Sequence, residues 1–223
     1  MELAGKLKEH TSVVHRQTEN SFFMKCFIRG MLEREEYARL LASLWPLYES
    51  LEDAMRRNRT HRIAGKLYFR ELERLQNLEE DLQYLMGSRW KEIPVPDASK
   101  AYAARLRELM IDHPHRLVAH AYVRYLGDLS GGQILKKIAS KTLGLDRQGL
   151  RFYHFDGIVD ADTFKTSYRA RLDSLPVSEE EEKDILEEAL LSFEMNGHIF
   201  QELEGPVRQR LGPKAAALET AGA

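Results

Sequence analysis

Apolar residues recur along this chain at the three-and-four spacing that draws a stripe down one side of a helix, and nowhere at the alternation a strand requires. Leu3, Leu7, Val14 and Thr18, with Thr11 on the same face, predict a first amphipathic helix. A second runs from about Glu33 to Arg56 with Tyr37, Leu40, Leu41, Leu44, Tyr48, Leu51 and Met55 inward; Pro46 inside it predicts a kink. Leu72, Leu75, Leu78, Leu82 and Leu85 mark a third, closed by Gly87. Beyond a loop from Gly87 to Asp97, a shorter helix carries Tyr102, Leu106 and Leu109, and Pro114 starts another, since proline is tolerated in a first turn. After Gly144 the chain is irregular to Ala161, and Phe164, Tyr168 and Leu172 then share a face. The last helix opens on a capping box, Ser178 with Glu181, ahead of Ile185, Leu186, Ala189, Leu190 and Phe193. The fold class is all-α, one multi-helix domain over 1–210. Residues 211–223 read as a tail, and the small and polar residues from Ala215 to Ala223 predict disorder there.

One stretch interrupts this pattern. Leu117, Val118, Ala121, Tyr122 and Tyr125 lead into Gly127-Asp128-Leu129-Ser130-Gly131-Gly132, and Ile134, Leu135, Ile138 and Ala139 resume the helical spacing after it. Each glycine costs such a helix roughly 1 kcal/mol relative to alanine. A kink, a tightly packed neighbouring helix, or a strip of bare backbone for a flat ligand would each offset that cost. Gly127 and Gly131, four apart, share a helix face and would form such a strip with the Asp128 carboxylate beside it.

Composition narrows the class. With 223 residues and 43% apolar content the chain can bury a substantial core. A formal charge of −2 with both signs interspersed argues against a nucleic-acid partner. The single cysteine, Cys26, excludes an internal disulfide framework and falls in an apolar run where it reads as a buried thiol. Met1 to His10 holds five charged or potentially charged side chains, unlike a signal peptide, and no stretch of ~20 apolar residues could span a bilayer. The expectation is a cytoplasmic protein without a membrane anchor.

The eight histidines make no metal-binding pattern. His10 and His15, five apart, point about 140° away from each other on a helix. His113 and His115 flank Pro114 near a helix start, and neither Glu-x-x-His nor His-Glu-x-x-His occurs. What remains is one histidine acting alone, as in axial ligation of heme, and His15 at the edge of the first apolar face suits that role best. A planar anionic ligand also needs cations. Lys165 and Arg169 point the same way beside the Phe164–Tyr168–Leu172 stripe, and Lys8 lies on nearly the same face as His15, although such pairs also occur as plain solvated surface.

At these residues the chain resembles the heme oxygenase family. The likeness includes the segment Leu7 to His15, is strongest from Val118 to Gln133, continues through Phe164-Lys165 and Tyr168-Arg169 to Phe193 and Asn196, and covers about residues 3 to 205. It is nearer to the mammalian type than to the divergent bacterial forms. The resemblance implies heme held between a proximal helix and a kinked distal helix, with His15 as the iron ligand and Glu19 bonded to its other nitrogen. It implies Gly127 and Gly131 over the distal face, Asp128 organising water with Tyr48 and Arg124, and propionate contacts from Lys8, Tyr122, Lys165 and Arg169. Thr11, Met24, Phe27, Phe193 and Asn196 would complete the pocket.

The implied reaction uses heme as both cofactor and substrate with molecular oxygen, cleaving it at the α-meso carbon to biliverdin, carbon monoxide and ferrous iron. Lys165 and Arg169 together carry the α expectation. Since no flavin or dinucleotide fingerprint is present, electrons must come from a reductase or ferredoxin, with Lys136, Lys137, Lys141 and Arg171 matching a basic docking surface. Ser12 departs from the basic residue of mammalian forms, which leaves the preferred donor open, and the missing hydrophobic carboxyl-terminal anchor implies a soluble, bacterial protein. The alternative is a non-catalytic heme-binding or heme-transfer protein, which would need His15 and the basic clamp but neither Asp128 nor the glycines. A thiaminase-like relative would need a cysteine nucleophile among acids, a setting Cys26 lacks, and a purely structural domain leaves the glycine–aspartate run unexplained.

Overall fold

A computed structural model describes residues 2–220, and the described residues form α-helices and short 3-10 turns without a strand. The α-helices are α1 (Leu3–His10), α2 (Ser12–Glu19), α3 (Phe22–Ile28), α4 (Arg34–Arg57), α5 (Leu75–Met86), α6 (Asp97–Asp112), α7 (Leu117–Asp128), α8 (Gly131–Leu143), α9 (Ala161–Asp173), α10 (Glu179–Leu211) and α11 (Pro213–Thr220). None is long and apolar enough to cross a membrane.

α10 is the axis of the fold, touching α1, α2, α3, α4, α6 and α7 along its 33 residues. Its capping box forms as the spacing predicts: the Glu181 amide donates to Ser178 Oγ at 3.2 Å and the Ser178 amide to Glu181 Oε2 at 2.9 Å. α4 packs between α5 and α6, and all seven apolar residues expected inward on it are buried. The helix continues across Pro46. Proline removes one amide donor, but burial along this face holds the turns on either side together.

Elsewhere the structure departs from the periodicity. The expected first helix is two, joined at Thr11, whose hydroxyl donates back to the Leu7 carbonyl at 2.7 Å. The Phe22–Ile28 run forms a helix of its own, capped by Ser21. α5 begins at Leu75, with Leu72 in a 3-10 turn before it. Pro114 opens a 3-10 turn that leads directly into α7. The expected disordered tail is instead helical over Pro213–Thr220, because Ala215 and Leu218 are buried as α11 packs on α3 and α10. Positions 221–223 lie outside the described residues.

Candidate active site

The glycine run breaks the helix outright. α7 ends at Asp128, Leu129 and Ser130 turn the chain, and α8 starts at Gly131. Gly127 and Gly131 therefore belong to different helices, yet a methyl group added to either would meet no atom within 4 Å. Neither glycine is there to let another helix close in; both backbones border open space. Gly132 differs, because a methyl group there would press on the Tyr153 ring at 3.3 Å.

Behind this joint the polar groups are buried and bonded. The Tyr48 hydroxyl, from α4, donates to Asp128 Oδ2, and Arg124 donates to the Tyr48 oxygen from Nε at 3.1 Å and Nη2 at 2.9 Å. Arg124 Nη1 donates to Asn196 Oδ1 at 2.7 Å, and Asn196 in turn donates to the Ser192 carbonyl at 2.7 Å. Asp128 Oδ1 lies 3.6 Å from Arg124 Nη2. Burial pushes the Asp128 carboxyl above its ordinary range, while Arg124, the Tyr48 bond and Arg74 pull it back. Burial raises the Tyr48 hydroxyl well above the usual tyrosine value, so it stays protonated.

This cluster is the end of a ladder between two parallel helices. His120, Arg124 and Asp128 recur every four residues on α7, and Glu188, Ser192 and Asn196 do the same on α10. The rungs are His120 to Glu188 at 3.0 Å and Arg124 to Asn196 at 2.7 Å, with Arg116 to Asp184 at 2.7 Å one turn earlier. Tyr102 of α6 bridges the middle, bonded to Ser192 Oγ at 2.5 Å and to His120 Nδ1 at 2.9 Å. Burial favours the uncharged Glu188, but its bonds to His120 and Arg105 win and hold its carboxyl down at about 2. Glu188, Ser192 and His120 continue this buried network and are absent from the residues expected at the site. Their signal was the four-residue polar stripe inside two apolar faces.

The opposite side of the site is sparsely built. α2 buries none of its side chains. Its His15 ring packs edge-on against Phe193 of α10, with centroids 5.3 Å apart, and Glu19 Oε2 sits 3.4 Å from His15 Nδ1. Phe193 and Asn196 are three residues apart on α10, so a single turn of that helix meets His15 on one side and the Arg124 cluster on the other.

The remaining expected residues divide. Tyr122 is half-buried within electrostatic reach of the exposed Arg169, and Lys165 is largely covered and paired to Asp162 at 2.8 Å. Lys8 is exposed on α1. Met24 and Phe27 are buried in the core, Phe27 against Tyr37, and Thr11 spends its hydroxyl on its own helix. Of the four expected docking cations, Lys137 and Lys141 are exposed, Lys136 turns toward His154 at 3.3 Å, and Arg171 lies over the Phe69 ring at 4.7 Å.

A family model described as heme oxygenase matches residues 1–202. The chain belongs to the heme oxygenase family. It is 43% identical over 212 residues to heme oxygenase 1 of Nostoc sp., covering 94% of this chain and 89% of that protein. It is 44% identical to heme oxygenase 1 of Bos taurus, over 94% of this chain and 74% of the bovine one. Among solved structures, heme oxygenase-1 of the cyanobacterium Synechocystis sp. in complex with heme superposes with a TM-score of 0.91 at 41% identity, over 95% of this chain and 96% of that one. The all-helical architecture is thus that of the heme oxygenases.

Proposed function

We propose that this heme oxygenase holds heme between α2 and the α7–α8 joint with His15 on the iron, and opens the ring at the α-meso carbon to give biliverdin, carbon monoxide and ferrous iron. The observation that carries the reading is the open space bordered by Gly127 and Gly131, backed by the buried Asp128–Tyr48–Arg124 cluster. The residues suit the ligand: an imidazole with an exposed ring, an aromatic wall at Phe193, backbone without side chains, and the cations Lys165 and Arg169 for carboxylates. Bound heme supplies both the iron that activates oxygen and the ring that is oxidised.

The chain supplies orientation and protons. Glu19 beside Nδ1 fixes the tautomer and leaves Nε2 of His15 as the ligand nitrogen. On the distal side, Tyr48 occupies Asp128 Oδ2, which leaves Oδ1 to order water in the open space. A carboxyl raised by burial and steadied by Arg124 accepts and returns a proton through such water without acting as a strong acid. Arg124, held above its usual value by Tyr48 and Asp128 against the cost of burial, remains a fixed cation. Tyr122, Lys165 and Arg169 hold the propionates and so set which ring edge faces the distal water. This last assignment carries the α-meso choice.

An external acidic reductase or ferredoxin docks on the basic face of α8, at Lys137 and Lys141 with Lys136 and Arg171 contributing, through a salt-sensitive encounter. The deciding experiment is an absorption time course of the protein with one equivalent of hemin under oxygen and reductant, with catalase present. Loss of the Soret band with biliverdin formation is expected; a heme spectrum that reduces and reoxidises without ring opening would overturn the reading.

A further inference from the structure

The far side of α8 carries a feature that heme binding leaves unexplained. Lys136, Lys137, Ser140 and Lys141 of α8 line an open cleft of about 350 Å³, closed on the other side by Asp146, Arg147, Leu150 and His154. None of the three lysines has a carboxylate within ion-pairing distance among the described residues, and Arg147 pairs outward with Asp156 at 2.8 Å. A lysine on a plain solvated face extends into water. Lys136 does the opposite: it is half-buried, with Nζ 3.3 Å from His154 Nδ1.

We infer that this cleft is a binding site for a phosphate-sized oxyanion, free or as a phosphomonoester. Three lysines and an arginine around one concavity, with Ser140 as a neutral donor and a single lining acid, match the demands of a compact multiply charged anion. The protonation pattern agrees. Burial first and the nearby Arg147 second hold Lys136 below its ordinary value, and burial, Lys136 and Arg147 do the same to His154, with Asp156 opposing in both cases and Arg151 adding to the effect on His154. These cations repel one another, and an anion between them would relieve that repulsion and recruit His154 as a further donor.

The site also has a route to the heme side. Gln133 of α8 donates both to the Tyr153 carbonyl at 2.9 Å and to the Asp128 carbonyl at 3.1 Å, so the segment bearing His154 is tied to the distal joint.

Calorimetric titration of the full-length protein with inorganic phosphate, and separately with adenosine monophosphate, tests the inference without any donor protein. Expected is saturable one-to-one binding that weakens about tenfold or more in Lys136→Gln and in Arg147→Gln. Lys100→Gln, which removes an exposed cation from α6, is expected to leave it unchanged. Equal affinity for both probes identifies free phosphate as the ligand, and tighter binding of the nucleotide identifies an ester. Heat that never saturates, or an equal loss in Lys100→Gln, would mean simple charge screening and overturn the site. Because the titration contains no electron donor, that failure would leave the docking reading standing, and a salt-independent donor rate would leave the cleft standing.

Discussion

The two sides of the proposed heme site are built in opposite ways. α2 buries no side chain, and His15 is steadied by Glu19 and the edge of Phe193. The α7–α8 joint is backed by groups from three helices, buried or nearly so and each bonded to the next. One local neighbour and one aromatic edge therefore aim His15, whereas packing among three helices creates the distal cluster. It follows that changes on the proximal side should act on the iron with little effect on folding, and changes on the distal side should act on both.

The largest expected effect tests the first half. His15→Ala removes an exposed side chain from a helix that buries none of its residues, so the unfolding free energy should stay within about 0.5 kcal/mol. Biliverdin formation should fall by ~100-fold or more, since loss of a ligand exceeds the loss of its supporting group. Denaturant midpoints and the ferric heme spectrum together check this. A native spectrum in the variant would remove His15 from the iron.

Asp128→Ala tests the second half. The Tyr48 hydroxyl loses its acceptor and Arg124 a nearby counter-charge, though Arg124 keeps Tyr48 and Asn196, at a cost of about 1–3 kcal/mol. Heme should still bind through His15 while ring opening fails. A variant that is both less stable and unable to form biliverdin supports the contrast; normal biliverdin yield would exclude Asp128 from proton delivery.

Behind the distal cluster, Glu52 of α4 accepts from the backbone amides of Arg74 and Leu75 at the start of α5. Burial pushes its carboxyl up to about 7 against those bonds, from an ordinary 4.5. A folded-state value above the unfolded one means that its stabilising contribution is complete below pH 4.5 and is lost as pH rises through about 7. Glu52→Gln keeps an oxygen for both amides and discards the charge. The variant should therefore gain up to about 3 kcal/mol over the parent above neutrality, with the gain vanishing near the lower bound. Thermal melts across that range check the sign.

The same contrast explains what was legible in the sequence. α4, with a strong apolar stripe, and α10, with a stripe and a capping box, are readable because local features decide them. The break at Thr11 that separates α2 from α1 leaves no trace in the spacing of apolar residues. Among the site residues, Gly127, Asp128 and Gly131 stood out as violations of a local pattern. Tyr48 and Asn196 looked like ordinary members of helix faces, and only the resemblance singled them out. Glu188, His120 and Ser192 are not singled out even by that, since bonds such as His120 to Glu188 and Tyr102 to Ser192 join residues 68 and 90 apart along the chain. The tail misled for a related reason: small residues carry little periodic signal, yet Ala215 and Leu218 suffice to dock α11.

The smallest expected effect separates the two explanations of the glycine run. Gly127 lies in the last turn of α7, its φ is not positive, and an added methyl group meets nothing within 4 Å. Alanine is a better helix former by up to about 1 kcal/mol, so Gly127→Ala should leave the protein as stable or slightly more stable. Gly132→Ala is the internal comparison, because its methyl group pushes on the Tyr153 ring and should bring no such gain. If the glycine at 127 served the fold, filling the space would leave biliverdin formation unchanged. If it keeps the space beside Asp128 open for water and ligand, the stabilised variant should turn over more slowly. Stability and activity moving in opposite directions on adding one methyl group would be the signature of a position kept bare for its chemistry.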